Sequence, residues 1–265
     1  MAIKEYPSVS SIAEFLQITR VVRRSWPEDV KPERWGEEQK LWFRGQSDWG
    51  WGLCPKVYRK PYKGADEDEI RLEFQSQAIQ LLSGRVPSSK WDWYFLMQHH
   101  RVPTRLLDWT ENSLIALFFA VQEEGDADAA VWALDPWWLA KKLRLGLRGP
   151  LLPDYDISSS WLFDLEKAFE GRNISRDLPA PIEPPHVDRR VTAQSSRFLV
   201  FGRTQDLRRA KIVRNRDCRL ARIRILRQAF KGIRKELDDC GINFLSVFPD
   251  LEGLALHLLW RWKDF

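Results

Sequence analysis

Polar side chains crowd the stretch QHHRVPTRLLDWTEN, residues 98–112, among them Gln98, His99, His100, Arg101, Thr104, Arg105, Asp108, Thr110 and Glu111. Polar groups at that density are solvated, paired with one another, or hold a ligand. Asp108 sits between Leu107 and Trp109, so on an extended strand it faces opposite to both. A buried carboxylate there needs a cation, and Arg105 or Arg44 would serve. Arg44 closes the apolar run LWF and precedes Gly45. Its planar fork of donors matches a phosphate or a carboxylate, and glycine, lacking a Cβ, lets a ligand approach the backbone. Two uses fit these residues: an internal Arg–Asp network that holds helices on a sheet, or a cleft for an anion. His99 and His100 are adjacent, so on a helix they point about 100° apart and face one metal poorly. No metal is expected. His99 fits a ligand contact or general base, and equally a core or capping histidine. No glycine-rich phosphate loop, dinucleotide fingerprint or nucleophile elbow is present.

The elements that must position these residues can be read from pattern. Ser10 or Ser11 caps a helix in YPSVSSIAEFLQITRVVRRSW. KLWFRGQ is a short strand ending on Gly45. DEDEIRLEFQSQAIQLL is a helix whose first-turn acids suit the helix dipole. KWDWYFLMQHH is a helix stopped by Pro103. RLLDWT is extended and leads into a helix capped by Asp108 or Thr110. AAVWALDP is a strand ended by Pro136, RRVTAQSSRFLVFG a strand pair or bent strand, and CRLARIRIL a strictly alternating strand with a basic outer face. LRQAFKGIRKELDDCG is a helix with Gly241 after its end, and a terminal helix starts near Pro249. The order predicts an α+β fold, a mixed, split β-sheet with helices on its outer faces. One domain spans 1–265: an N-terminal helix within 1–35, a core of 36–136 and 187–265, and an insertion at 137–186.

The chain has 265 residues, a net charge of +5 and 14 tryptophans, with a pI near 9.1. Several tryptophans fall in apolar runs and read as core. The modest positive charge favours polyanions weakly. Cys54, Cys218 and Cys240 are far apart and odd in number, which argues against structural zinc and suits free thiols in a reducing cytosol. The opening MAIKEYPSVS reads as neither signal peptide nor transit helix. SLIALFFAV is too short to span a bilayer, so no membrane partner is expected.

Four blocks carry a resemblance: FRGQ at 43–46, MQHHRVPTRLLDWTENSLIALFFAV at 97–121, RVTAQSSRF at 190–198 and FPDLEGLA at 248–255. In that order they resemble the FRG domain family of bacterial and phage proteins. The family's usual glycine after Gln-His is here replaced by a second histidine and Arg101. The pattern is in turn similar to ADP-ribosyltransferases of the arginine-serine-glutamate type, which implies an ADP-ribosyltransferase-like core with NAD as substrate. On that similarity Arg44 and Gly45 hold the NAD diphosphate. Asp108 and Thr110 stand where two serines would orient the nicotinamide ribose. Gln98, His99 and Arg105 shape the pocket, while Arg190 and Gln194 face the reacting sugar. The implied catalytic set is Arg44, Asp108, Thr110 and Gln194.

The glutamate of that enzyme group has no counterpart in DRRVTAQSSRFLVF, which offers Gln194 and one acid, Asp188. Either Gln194, Asp250 or Glu252 takes its part, or the pocket binds a nucleotide without transfer. A carboxylate is the better stabiliser of a developing cation. Basic residues crowd 208–227, and Arg214, Arg219, Arg222 and Arg224 are the candidates for nucleic-acid contact; a solvated basic face is the plainer alternative. The resemblance implies a cytoplasmic toxin or anti-phage effector that modifies a macromolecule, RNA or DNA, with an antitoxin or chaperone protein as partner. The alternatives are a non-catalytic nucleotide or nucleic-acid binding module and a metal-dependent nuclease using Asp108 and Glu111.

Overall fold

A computed structural model describes residues 3–26, 39–82, 86–123, 125–143, 150, 179–184 and 189–264. The fold is α+β, a mixed seven-stranded sheet packed with helices. The strands are β1 Lys4–Val9, β2 Trp42–Gln46, β3 Leu106–Thr110, β4 Ala129–Leu134, β5 Ala180–Ile182, β6 Ser196–Val200 and β7 Leu220–Ile225. The helices are α1 Ile12–Ser25, α2 Glu67–Ala78, α3 Lys90–His99, α4 Ser113–Val121, α5 Pro136–Lys142, α6 Arg189–Ala193, α7 Phe230–Asp239, α8 Phe244–Val247 and α9 Leu251–Asp264.

The strand order is β1-β7-β4-β2-β3-β6-β5. Only β1 and β7 run parallel; the other neighbours are antiparallel. β4 lies mid-sheet and is buried along its whole length, which explains its unbroken apolar run. β2 pairs with β4 along all of Trp42–Gln46, whereas β2 and β3 meet at one partner pair, Phe43 with Thr110. The sheet is therefore continuous but nearly divided at that seam.

Side-chain alternation sets the layers. On one face, Phe43, Val131, Ala133, Ala221 and Ile223 form a core with α1, α4 and α7. Beyond the seam, Leu106, Phe198 and Val200 form a second core with Trp91, Tyr94 and Phe95 of α3. The opposite face carries Trp42, Leu107, Trp109, Trp132 and Leu220, covered by Leu53, Trp138 and the segment from Leu207 to Cys218.

Caps fix the helices beside the seam. Asn112 caps α4, accepting from the backbone N–H of Leu114 at 2.9 Å and of Ile115 at 3.4 Å. Neither Asp108 nor Thr110 does so; both belong to β3 itself. Ser89 and Asp92 form a reciprocal capping box on α3. α4 presses so closely on β2 that a Cβ at Gly45 would lie 1.9 Å from the Ala116 carbonyl oxygen and 2.6 Å from the Ala120 nitrogen.

Three other expectations change. KEYPSV forms the edge strand β1 instead of leading into α1, which starts at Ile12 behind Ser11. Residues 189–200 form the short helix α6 followed by one strand, not a strand pair. Within 137–186, most of which lies outside the described residues, α5 and the edge strand β5 join the core. Most of the remaining elements fall where pattern placed them, except that 242–247, where a strand or loop is expected, holds the short helix α8, and Gly241 adopts the left-handed φ of +76° after α7. At the C-terminal end α9 presents Leu251, Leu259 and Trp262 to solvent. Among the described residues no helix is long and apolar enough to cross a membrane.

The Gly45 contact gives a direct test. A Gly45→Ala variant forces α4 off the strand and lowers stability by about 1–3 kcal/mol or more, read from urea unfolding. Gly125→Ala, whose added Cβ meets nothing within 4 Å, leaves the midpoint near the parent value.

Candidate functional site

Arg44 lies on β2 at the seam, its side chain 15% exposed. Its Nη1 donates to the Asp108 backbone carbonyl at 2.7 Å and lies 3.7 Å from Asp108 Oδ2. The guanidinium thus reaches β3 just past the Phe43–Thr110 pair, where the ladder between the strands stops. Its Nε is buried without a hydrogen-bond partner. Burial pushes the Arg44 pKa down to about 10; Asp108 opposes the shift and the Arg59 charge adds to it. The group stays cationic at neutral pH, held beside a second cation and short of acceptors. Arg59 donates through Nε and Nη2 to the Cys54 carbonyl at 2.8 and 2.6 Å.

Asp108 faces opposite to Leu107 and Trp109 as expected, but it is not buried. Its side chain is 58% exposed while both neighbours lie in the core. Gln98 Nε2 donates to Asp108 Oδ1 at 2.9 Å, and the buried Thr104 hydroxyl donates to Gln98 Oε1. A chain of hydrogen bonds therefore runs Thr104, Gln98, Asp108, and Arg44 meets its far end. Thr104 also accepts from the Leu106 backbone N–H at 3.1 Å, which fixes it at the entrance of β3. His99 is half-buried at the end of α3, with its ring 4.8 Å from that of His100.

Gly45 does not leave room for a ligand on its own face. The space its Cβ would occupy is filled by the α4 backbone, so the residue serves helix packing. Arg105 is likewise held elsewhere. Its guanidinium pairs with Glu67 of α2, and its backbone N–H donates to Glu67 Oε1 at 2.7 Å. The Tyr94 hydroxyl donates to the same carboxylate. Glu67 is 2% exposed. Burial pushes the Tyr94 pKa well up, and that of Tyr58 up to about 12. This closed network anchors the start of β3. The sequence showed Glu67 only as one acid among several at a helix start; nothing local marks it as the buried partner of Arg105.

Thr110 and Gln194 come together through backbone. The Thr110 hydroxyl donates to the Gln194 carbonyl at 2.6 Å, while the Gln194 amide donates to the Val247 carbonyl at 3.1 Å. Arg190 donates to Asp250 at 2.8 Å and to Glu252 at 3.1 Å, and stacks 5.3 Å from the Phe248 ring centroid. The RVTAQ block therefore fastens the FPDLEG block to the end of β3. Glu111, just beyond, is engaged by Arg197 at 2.9 Å and by Lys40 at 3.3 Å.

The four basic candidates separate. Arg219 is buried against Asp135 at 2.7 Å, the same carboxylate that caps α5, so it is closed to a polyanion. Arg222 lies 3.5 Å from the Trp49 ring centroid, donates to the Trp49 carbonyl at 2.9 Å and pairs with Glu5 at 2.7 Å. Arg224 also stacks on Trp49, at 4.4 Å, and is 43% exposed. Arg214 is exposed. Arg222 and Arg224 do share a strand face, but Trp49 covers it. Among the described residues no group of three His, Cys, Asp or Glu side chains could hold a metal ion.

Residues 39–129 match the FRG domain. That stretch contains the FRGQ tetrapeptide and the long block around Asp108, and so holds both sides of the seam. The RVTAQ and FPDLEG blocks lie outside it. No curated protein and no solved structure matches the chain.

Removing one partner of a buried ion pair leaves the other charge uncompensated. Glu67→Gln should therefore cost about 3–5 kcal/mol in urea unfolding. Glu111→Gln, on a more accessible pair, should cost less than about 1.5 kcal/mol.

Proposed function

We propose that the seam between β2 and β3 binds NAD and that the protein transfers ADP-ribose from it to a macromolecule. One observation carries this reading: Arg44 is a half-buried cation whose buried Nε is unpaired among the described residues, beside an exposed, oriented carboxylate, Asp108. Arg44 and Arg59 supply positive charge for a diphosphate, whose oxygens match a forked guanidinium. Asp108 is held by Gln98, so its orientation is set before a ligand arrives.

The reaction breaks the bond between ribose C1′ and the nicotinamide nitrogen. The electron pair leaves with nicotinamide, and positive charge develops on the ribose. An acceptor oxygen or nitrogen then attacks C1′ and loses its proton. A fixed carboxylate in a cleft lowers the energy of that developing cation. The Gln194 amide is bonded to the Val247 carbonyl and brings no charge. Asp108 is the acid that the seam itself offers, and this reading gives it the stabilising role. Thr110 and Gln194 hold the wall behind it, and Arg190 ties in the last block. A cytoplasmic defence or toxin role is consistent with such chemistry.

A second reading uses the same seam for a nucleotide without bond cleavage. It is favoured by the want of a second acid at Gln194. Nicotinamide release from NAD separates the two: release supports transfer, and NAD binding without release in the presence of protein and nucleic-acid acceptors supports a binding module. Arg44→Ala should abolish NAD binding in calorimetry while leaving the unfolding transition cooperative. Asp108→Asn should retain NAD binding within about threefold and lower nicotinamide release by about 10²–10³-fold. Equal turnover in that variant removes Asp108 from the chemistry.

A further inference from the structure

The segment 203–216 carries a set of cations that no other described residue pairs with. It forms two turns of 3-10 helix, Leu207–Arg209 and Lys211–Arg214. Leu207, Ala210, Ile212 and Val213 face the core, which turns the intervening residues outward. Arg203, Arg209, Lys211, Arg214 and Arg216 are all exposed. None of the five has an ion pair or side-chain hydrogen bond with another described residue. The acid of the segment and the one just past it are taken: Asp206 pairs with Arg208 at 3.1 Å and Asp217 with Lys142 at 2.5 Å. Uncompensated like charges on one ridge repel, and a polyanion relieves that repulsion.

The ridge is fixed to the loop that follows β2. Leu207 N–H donates to the Leu53 carbonyl at 3.1 Å, and Leu53 N–H donates to Asp206 Oδ1 at 3.1 Å. The next carbonyl, that of Cys54, holds Arg59, whose charge acts on Arg44. The loop that anchors the ridge thus also carries Arg59, the cation that acts on the half-buried Arg44. On the same loop Trp51 stands 47% exposed, and Arg208 Nη1 donates to the neighbouring Gly50 carbonyl at 3.4 Å. An exposed indole beside a basic ridge offers a stacking surface to an unpaired base, which a duplex does not present.

We propose that Arg203, Arg209, Lys211, Arg214 and Arg216, with Trp51, dock single-stranded nucleic acid through its phosphates and one stacked base. Docked there, the strand runs toward Arg44 and Asp108 and is the acceptor of the ADP-ribosyl group; this second half rests on the transfer reading above, and the docking does not.

Fluorescence anisotropy of a labelled single-stranded oligonucleotide, as RNA and as DNA, tests the docking against a duplex of equal length. Affinity should fall steeply between about 50 and 200 mM salt. The triple variant Arg209→Ser, Lys211→Ser, Arg214→Ser should weaken binding at least about tenfold and flatten the log–log salt slope by about two. Trp51→Ala should weaken single-strand binding about tenfold and leave duplex binding alone. Arg23→Ser with Arg24→Ser, exposed cations on α1, should change nothing, and Arg44→Ala should still bind the oligonucleotide. Equal losses in the α1 variant, or a duplex bound as tightly as a single strand, overturn the docking and leave the NAD reading standing. The acceptor claim is read separately, by the mass of the oligonucleotide after incubation with NAD. Nicotinamide release with an unmodified, tightly bound strand overturns it while NAD cleavage stands.

Discussion

Where two strands of a sheet stop pairing, the exposed backbone needs another partner. Here Arg44 provides it: its Nη1 bonds the Asp108 carbonyl just beyond the last β2–β3 pair. Together with the Phe43–Thr110 pair, that contact joins a half-sheet of β1, β7, β4 and β2 to one of β3, β6 and β5. It also holds a half-buried positive charge at that line. Structural and chemical uses of Arg44 are therefore not alternatives. The guanidinium edge that meets Asp108 sets the direction in which Nε faces.

The surroundings reinforce both sides of this line. α4 is locked to β2 through the bare backbone of Gly45, and the Glu67, Tyr94 and Arg105 network holds the first residues of β3. Thr110 closes the other end of β3 on Gln194, which in turn holds α8. Residues distant in sequence thus act on a strand five residues long. The blocks that stand out in the sequence are those that grip β3 or lie opposite it.

Pattern exposed the parts with local causes. The alternation of LARIRI, the apolar run AAVWAL and the helix-ending Gly241 all follow from the residues themselves. Asp108 facing away from Leu107 and Trp109 follows from strand geometry alone. What was hidden depends on long-range pairing. KEYPSV has mostly exposed side chains and a proline, so only its parallel pairing with β7 makes it a strand. Arg219 looks like one more member of a basic face, yet Asp135, at the end of the neighbouring strand β4, takes it into the core. Gly45 reads as space for a ligand because the helix that fills the space lies some seventy residues on.

The single backbone pair at Phe43 and Thr110 also has a mechanical meaning. A ribbon sewn by one stitch flexes at that stitch before its fully laced margins yield. Here the helix packed on Gly45 also follows β3 directly, so α4 braces that stitch, with the Arg44 guanidinium as its catch.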